Sequence, residues 1–554
     1  MIRLRPLCIL SLIASTSAAL AAPQPAPKLA VAISIDQFRA DYLERFEPYF
    51  GKGGFRRLLD QGSVFTEARH RHALTATAPG HATLLSGSPP SVHGIVANSW
   101  LDPENFERVG AVSDPDEEII GAKSISKFFP IEGTSPRNFL ATSVGDQLKL
   151  RHGDASRVIS LSNKDRAAIL MGGHHADAAY WLPTDRFVTS TFYVKQPPAW
   201  LETFNREHSV DSFFGQTWDR LLPVEVYNRV QGPDVALGEE SRLGLGATFP
   251  RTLDGGLSAP GEEYYKAFRI APQATTLLGN LATSAIQGEQ LGQRSATDLL
   301  CISFSQTDYV GHSFGSDSHE IMDTVIRLDR VLAELFSFLD ETIGQEGWIV
   351  VVSADHGGCP LPERATGKAK QLYAGRLDWT SLQATAEEAL AAAFGPPPSG
   401  SQWLLRDAYG FRLVKAPENA LTEMRRTLRD ALLSHPQIAS AWTREELLGN
   451  SPESNHWDFE AWHLSYHIDR SPDVVFTPRP YVVDRSPYGS NHGTPHDYDC
   501  HVPLIFFGPG IPSGHYSDPV NTEQLAPTLS RLLQVPRPPQ ADQALLPHIF
   551  QADN

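Results

Sequence analysis

A chain of 554 residues, 41% hydrophobic and 20% charged, is long enough to bury a full core. Its formal net charge of −17 argues against nucleic acid as a partner, and it means that any anionic ligand must be attracted by a local positive site. Beyond the N-terminal segment only Cys301, Cys359 and Cys500 remain, too few and too scattered for a disulfide framework or a zinc ribbon, with room for one bridge at most.

In chain order, Arg3 and Arg5, an apolar stretch over residues 7–13 and the Ala19-Leu20-Ala21 triplet read as a signal peptide spanning residues 1–21. That apolar stretch is short for a membrane span, which needs about 20 residues. A secreted or periplasmic protein without a membrane anchor is expected, its mature chain starting near Ala22. Residues 28–35 form a continuous apolar run of the kind found in a buried parallel strand, ending at Asp36. Residues 62–66 read as a strand. A basic cluster, Arg69-His70-Arg71-His72, and then Thr75-Ala76-Thr77-Ala78-Pro79-Gly80-His81 lead into a helical pattern that stops at Ser86-Gly87. Further buried strands are predicted over 156–162, 299–304, 348–354 and 502–508, with an amphipathic helix over 318–339. Strands alternating with helices predict an α/β fold, a doubly wound and mostly parallel sheet flanked by helices. Residues 175–270, rich in aromatics and proline, and residues 361–485, with a Gly/Pro/Ser loop at 395–401 and a helix over 423–433, read as insertions into one catalytic domain covering 22–554.

The chemistry collects at the strand ends, where open α/β sheets place their ligands. Asp36 ends the first strand, and Asn163-Lys164-Asp165-Arg166 follows the second long one. Asp308 and His312, four apart, share one face of a helical turn and can clamp a metal. Asp355-His356-Gly357-Gly358 closes the clearest strand, and His492 lies in a Gly/Ser-bounded loop. This mixed Asp/His set suits two adjacent zinc ions. His319, His496 and His501 lie near these residues as supporting or substitute ligands. Each group taken alone has a plainer reading: Asp308/His312 an exposed helix pair, Asp355-His356 a turn, Lys164 and Arg166 solvated charges, and Thr77 a helix N-cap.

Taken together, the chain resembles the alkaline phosphatase superfamily, in particular secreted bacterial phosphate-monoester hydrolases with a Thr nucleophile. The resemblance rests on residues 35–39, 75–81, 93–100, 162–166, 307–312, 353–358 and 491–493, in the family's order from residue 28 to about 510. It implies Thr77 as the nucleophile and a ligand of one zinc with Asp36, Asp355 and His356. It implies Asp308, His312 and His492 on a second zinc. Asn98, Lys164 and Arg166 would contact the phosphoryl oxygens. The implied reaction is hydrolysis of small-molecule phosphate monoesters through a phosphothreonine, with inorganic phosphate as product. Two cations match a monoester dianion, whereas the nucleotide pyrophosphatase/phosphodiesterase branch lacks this Lys/Arg pair and is the alternative reading.

Overall fold

The computed structural model describes residues 25–121, 132–241, 243–365, 374–398, 401–449, 455–485 and 487–550. The expected signal peptide lies outside them. Eight strands make the central sheet: β1 (Leu29–Ile35), β2 (Ser63–Phe65), β3 (Val158–Ser162), β4 (Ala178–Tyr180), β5 (Asp298–Phe304), β6 (Trp348–Ser353), β7 (Leu504–Phe507) and β8 (Gly514–Tyr516). Their spatial order is β8-β2-β7-β6-β1-β5-β3-β4. From β6 to β4 every neighbour is parallel, while β7 runs antiparallel to both β6 and β2. Strands β1, β5 and β6 are buried along their whole length, so their apolar runs are continuous rather than alternating.

The register levels the carboxyl ends of the parallel strands: Ser34 pairs with Ser303 and Ser353, and Ser303 with Ser162. Residues just beyond those ends therefore emerge side by side. Four helices complete this edge: α1 (Thr77–Ser86), α2 (Asp165–Gly172), α3 (Gln306–Phe314) and α4 (His319–Thr342). Helix α4 begins on Ser318, whose side chain accepts from the Ile321 N–H, and lays Ile321, Val325, Leu328, Leu332 and Leu335 against the core.

The 361–485 stretch contains a separate antiparallel sheet, in the order Leu404–Arg406, Gly410–Leu413, Val474–Pro478, Ile438–Thr443. Helices Trp379–Phe394 and Leu421–Ser434 accompany it. The 175–270 stretch opens with β4, an edge strand of the main sheet, and then turns helical. Cys301, Cys359 and Cys500 are buried free thiols, so the allowance for one bridge goes unused. No helix among the described residues is long and apolar enough to cross a membrane.

Candidate metal and phosphoryl-transfer site

Asp36 extends from β1, Asp355 and His356 from β6 on one side, and Asp308 with His312 from α3 beyond β5 on the other. This order makes Asp36 the shared middle of the site. Asp36, Asp355 and His356 bring ligand atoms within 4.8 Å of one another, and so do Asp308, His356 and His492. His312 Nε2 lies 3.2 Å from Asp308 Oδ1 and His492 Nε2 lies 3.4 Å from the same oxygen. All seven expected metal-site residues thus meet in one place, Thr77 included: its hydroxyl is 3.4 Å from Lys164 Nζ, and that ammonium is 2.6 Å from both Asp36 and Asp308.

The histidines are oriented by backbone carbonyls. His312 Nδ1 lies 2.9 Å from the Ser490 oxygen, His356 Nδ1 2.8 Å from that of Gly357, and His492 Nδ1 2.8 Å from that of Thr75. With Nδ1 turned to a carbonyl, each Nε2 is the nitrogen turned toward the carboxylates and available to a metal. Burial, with His492 beside it, brings the His356 imidazole down to about 3 against the opposing pull of Asp355, so the ring is neutral and able to ligate.

Three buried carboxylates face one ammonium here. Burial and the neighbouring Asp308 and Asp355 push the Asp36 carboxyl well above its usual range, against the pull of Lys164. Burial alone would lower the Lys164 ammonium, but Asp308 and Asp36 push it up from its ordinary value. Asp36 Oδ1 and His356 Nε2 are buried and make no hydrogen bond among the described residues, while Asp36 Oδ2 is met by Lys164 and Asp355 Oδ2 by His81. Unpartnered charge at such depth is costly unless a cation meets it. A convergent set of carboxylate oxygens and imidazole nitrogens fits divalent metal ions.

Thr77 is not the cap of α1. Ala76 occupies that position with extended backbone, and Thr77 is the first helical residue, 1% exposed. The capping is done by Asn98, whose Oδ1 accepts from the Ala78 N–H at 2.8 Å. Asn98 therefore keeps its Nδ2 for a ligand, and the Thr77 hydroxyl is released from capping duty. Helix α1 presses so closely on the site that a Cβ at Gly80 would fall 2.1 Å from the Asp355 carbonyl oxygen. Arg166, on the first turn of α2, shares the wall of a cavity of about 330 Å³ with Asn98 and Asn163.

Two supporting residues carry no role in the sequence reading. His81 Nδ1 lies 2.7 Å from the Thr77 carbonyl oxygen and 3.2 Å from Asp355 Oδ2, with Nε2 2.8 Å from Ser303 Oγ. Gln37 donates Nε2 to Asp308 Oδ1 at 3.0 Å and its backbone N–H to Asp355 Oδ1 at 3.1 Å, bridging both metal-ligand groups. It holds a left-handed backbone (φ 57°), and a Cβ at Gly311 would overlap its Oε1 at 1.7 Å. Both residues lie inside motif stretches, but their geometry comes from long-range packing. His319, His496 and His501 do not join the site: their Nε2 atoms bond the carbonyls of Gly232, Pro478 and Thr66.

Residues 30–499 match the family described as type I phosphodiesterase / nucleotide pyrophosphatase. The chain is 33% identical to the alkaline phosphatase PafA of Elizabethkingia meningoseptica over 93% of each chain. It is 31% identical to the alkaline phosphatase PhoV of Synechococcus elongatus, over 92% of this chain and 91% of that one. A Myroides odoratus protein named calcium-transporting ATPase is also 31% identical, over 92% of each. The crystal structure of PafA superposes with a TM-score of 0.85 at 31% identity, covering 95% of this chain and 99% of that one. The chain belongs to the alkaline phosphatase superfamily, within the type I phosphodiesterase / nucleotide pyrophosphatase family.

Proposed function

We propose that the chain hydrolyses phosphate monoesters as a zinc-dependent alkaline phosphatase, with two zinc ions per chain. The observation that carries this reading is the placement of Thr77. Its buried hydroxyl stands at a helix N-terminus, next to Lys164 and a converging set of metal-ligand side chains. Asp36, Asp355, His356 and Thr77 would hold one ion, and Asp308, His312 and His492 the other. When bound, the ions would supply Lewis acidity, which lowers the pKa of a hydroxyl and offsets charge on the attacking and departing oxygens. Thr77 Oγ1 forms the new bond to phosphorus while the ester P–O bond breaks on the opposite side, giving phosphothreonine and the free alcohol. Water then releases inorganic phosphate and restores the hydroxyl. Asn98 Nδ2, Lys164 and Arg166 bind and orient the non-bridging oxygens, and the helix N-terminus adds favourable dipole.

A diesterase reading is favoured by the family description alone. A diester carries one negative charge where Lys164 and Arg166 offer two positive ones. Turnover of p-nitrophenyl phosphate is expected to exceed that of bis-p-nitrophenyl phosphate by at least about 10²-fold, since one such electrostatic contact is worth about that much. Equal or diester-favouring rates would overturn the monoesterase reading. Dialysis against a chelator is expected to abolish this turnover, and zinc to restore it with about two ions bound per chain. Restoration without zinc uptake would count against the metal assignment.

Gln37→Ala is expected to weaken metal affinity about 10- to 100-fold, the usual cost of losing a group that orients a ligand. The check is a zinc titration against a competing chelator. We further infer that residues 1–21 direct export to the periplasm or medium. Residues 22–554 then form one catalytic domain, carrying 175–270 and 361–485 as insertions.

A further inference from the structure

Two cavities open onto His312. One, of about 630 Å³, is lined by Lys266, Arg269 and Arg485 with Glu240 and Glu263. Its charges answer one another: Lys266 Nζ lies 2.6 Å from Glu262 and 2.8 Å from Glu263, and Arg485 lies 3.4 Å from Glu240. The other, of about 540 Å³, has His312, His492 and Asn98 in its wall together with Arg108 and Arg406. Asp484 is the one carboxylate lining it.

Arg108 starts the short strand Arg108–Gly110, which pairs with Ser99–Leu101 immediately after Asn98. Arg406 ends the strand Leu404–Arg406 of the separate antiparallel sheet. The two guanidinium groups are brought together from these distant segments. Arg108 Nη1 donates to Ser99 Oγ at 3.1 Å and Nη2 to the Arg406 carbonyl at 3.4 Å, and its nearest carboxylate, Asp407, is 3.9 Å away. Arg406 is held in place by Trp379, whose ring its guanidinium covers at 3.6 Å, and by its ion pair with Asp484. The side chains remain 51% and 45% exposed. Burial draws the Arg406 guanidinium down from its ordinary value against the pull of Asp484, and the like charge of Arg108 adds to the lowering. In a chain of net charge −17, that arrangement invites an anion.

In-line displacement expels the alcohol on the side of phosphorus away from Thr77. With the ester phosphate at Thr77, Asn98 and Lys164, the cavity whose wall Asn98 shares with the two arginines adjoins the ester and can take the alcohol's distal end. We propose that Arg108 and Arg406 form an anion subsite for the leaving alcohol, so that esters carrying a second phosphate are preferred substrates. The inference rests on the monoesterase reading. Guanidinium is the group suited to it, because its planar fork matches phosphate oxygens in pairs. Arg108, whose ion pair with Asp407 is long where that of Arg406 with Asp484 is close, carries the larger share.

The test is the kcat/KM for phosphate release from fructose 1,6-bisphosphate divided by that from fructose 6-phosphate, measured on one preparation so that any misfolded fraction cancels. For the parent enzyme this ratio is expected to be about ten or more, and to fall as ionic strength rises. Arg108→Ala and Arg406→Ala are each expected to lower it about tenfold, the worth of one charge-assisted hydrogen bond, and Arg108→Glu further still. Because Arg108 lies on an exposed hairpin, its variants report even where Arg406→Ala disturbs the packing on Trp379. A parent ratio near one, or a ratio unchanged in Arg108→Glu, overturns the subsite while leaving the monoesterase reading intact. A parent that fails to hydrolyse p-nitrophenyl phosphate overturns both.

Discussion

Thr77→Ala is expected to lower kcat/KM for p-nitrophenyl phosphate by at least about 10³-fold, because no other side chain can take over the bond to phosphorus. Thr77→Ser, which keeps the hydroxyl at the same helix position, is expected to stay within about tenfold of the parent. The helix should survive both changes. Thr77 makes no capping bond, Ala76 and Asn98 define the N-terminus, and alanine is a better helix former than threonine. Thermal unfolding within a few degrees of the parent would confirm that the loss is chemical. Denaturing a quenched reaction should show phosphate attached covalently to the parent chain and absent from Thr77→Ala. An alanine variant as active as the parent would rule out the covalent route.

Much of this candidate site is legible in the sequence, for a simple physical reason. Buried parallel strands are continuous apolar runs, so Asp36, Asp355 and the Asp308 helix stand out as the first polar groups after each run. Which strands are neighbours is not written in any single run. The order β6-β1-β5-β3, which puts Asp36 between Asp355 and Asp308 with Lys164 alongside, comes from long-range pairing. The antiparallel direction of β7 was hidden for the same reason, and the three-residue edge strands β4 and β8 are too short to show a period. Thr77 looked like a cap because a hydroxyl before a helical pattern usually is one. The structure transfers that work to Asn98, twenty-one residues later in sequence, and no local pattern announces the exchange. Gln37 is legible as part of a motif but not as a bridge, since its left-handed backbone and its bond to Asp308 appear only when α3 packs beside the residues that follow β1. Arg108 and Arg406 were invisible because their proximity joins a hairpin beside Asn98 to a strand of the other sheet.

The second large effect concerns Lys164 and Arg166, and the two should not behave alike. Arg166 lines the cavity it shares with Asn98, and it pairs with Asp165 at 3.7 Å. Its removal deletes a donor to the phosphoryl group and little else, so Arg166→Ala is expected to lower monoester kcat/KM by about 10²-fold with metal content unchanged. Lys164 is buried, 2.6 Å from Asp36 and from Asp308, and 3.4 Å from the Thr77 hydroxyl. Lys164→Ala therefore removes a phosphoryl contact and also a charge that offsets two of the metal-site carboxylates. Its expected cost is about 10³-fold, with altered zinc affinity. The double variant is expected to lose at least about 10⁴-fold on p-nitrophenyl phosphate but less than about tenfold on bis-p-nitrophenyl phosphate. A diester has one charge fewer to be matched, so most of the loss should fall on the dianion. The monoester-to-diester ratio would then fall by at least about 10³-fold in an enzyme that still binds its metals and still has its nucleophile. If both substrates fell together, the two cations would be serving the metal site or the fold, and the substrate preference would have to lie in the walls of the surrounding cavities.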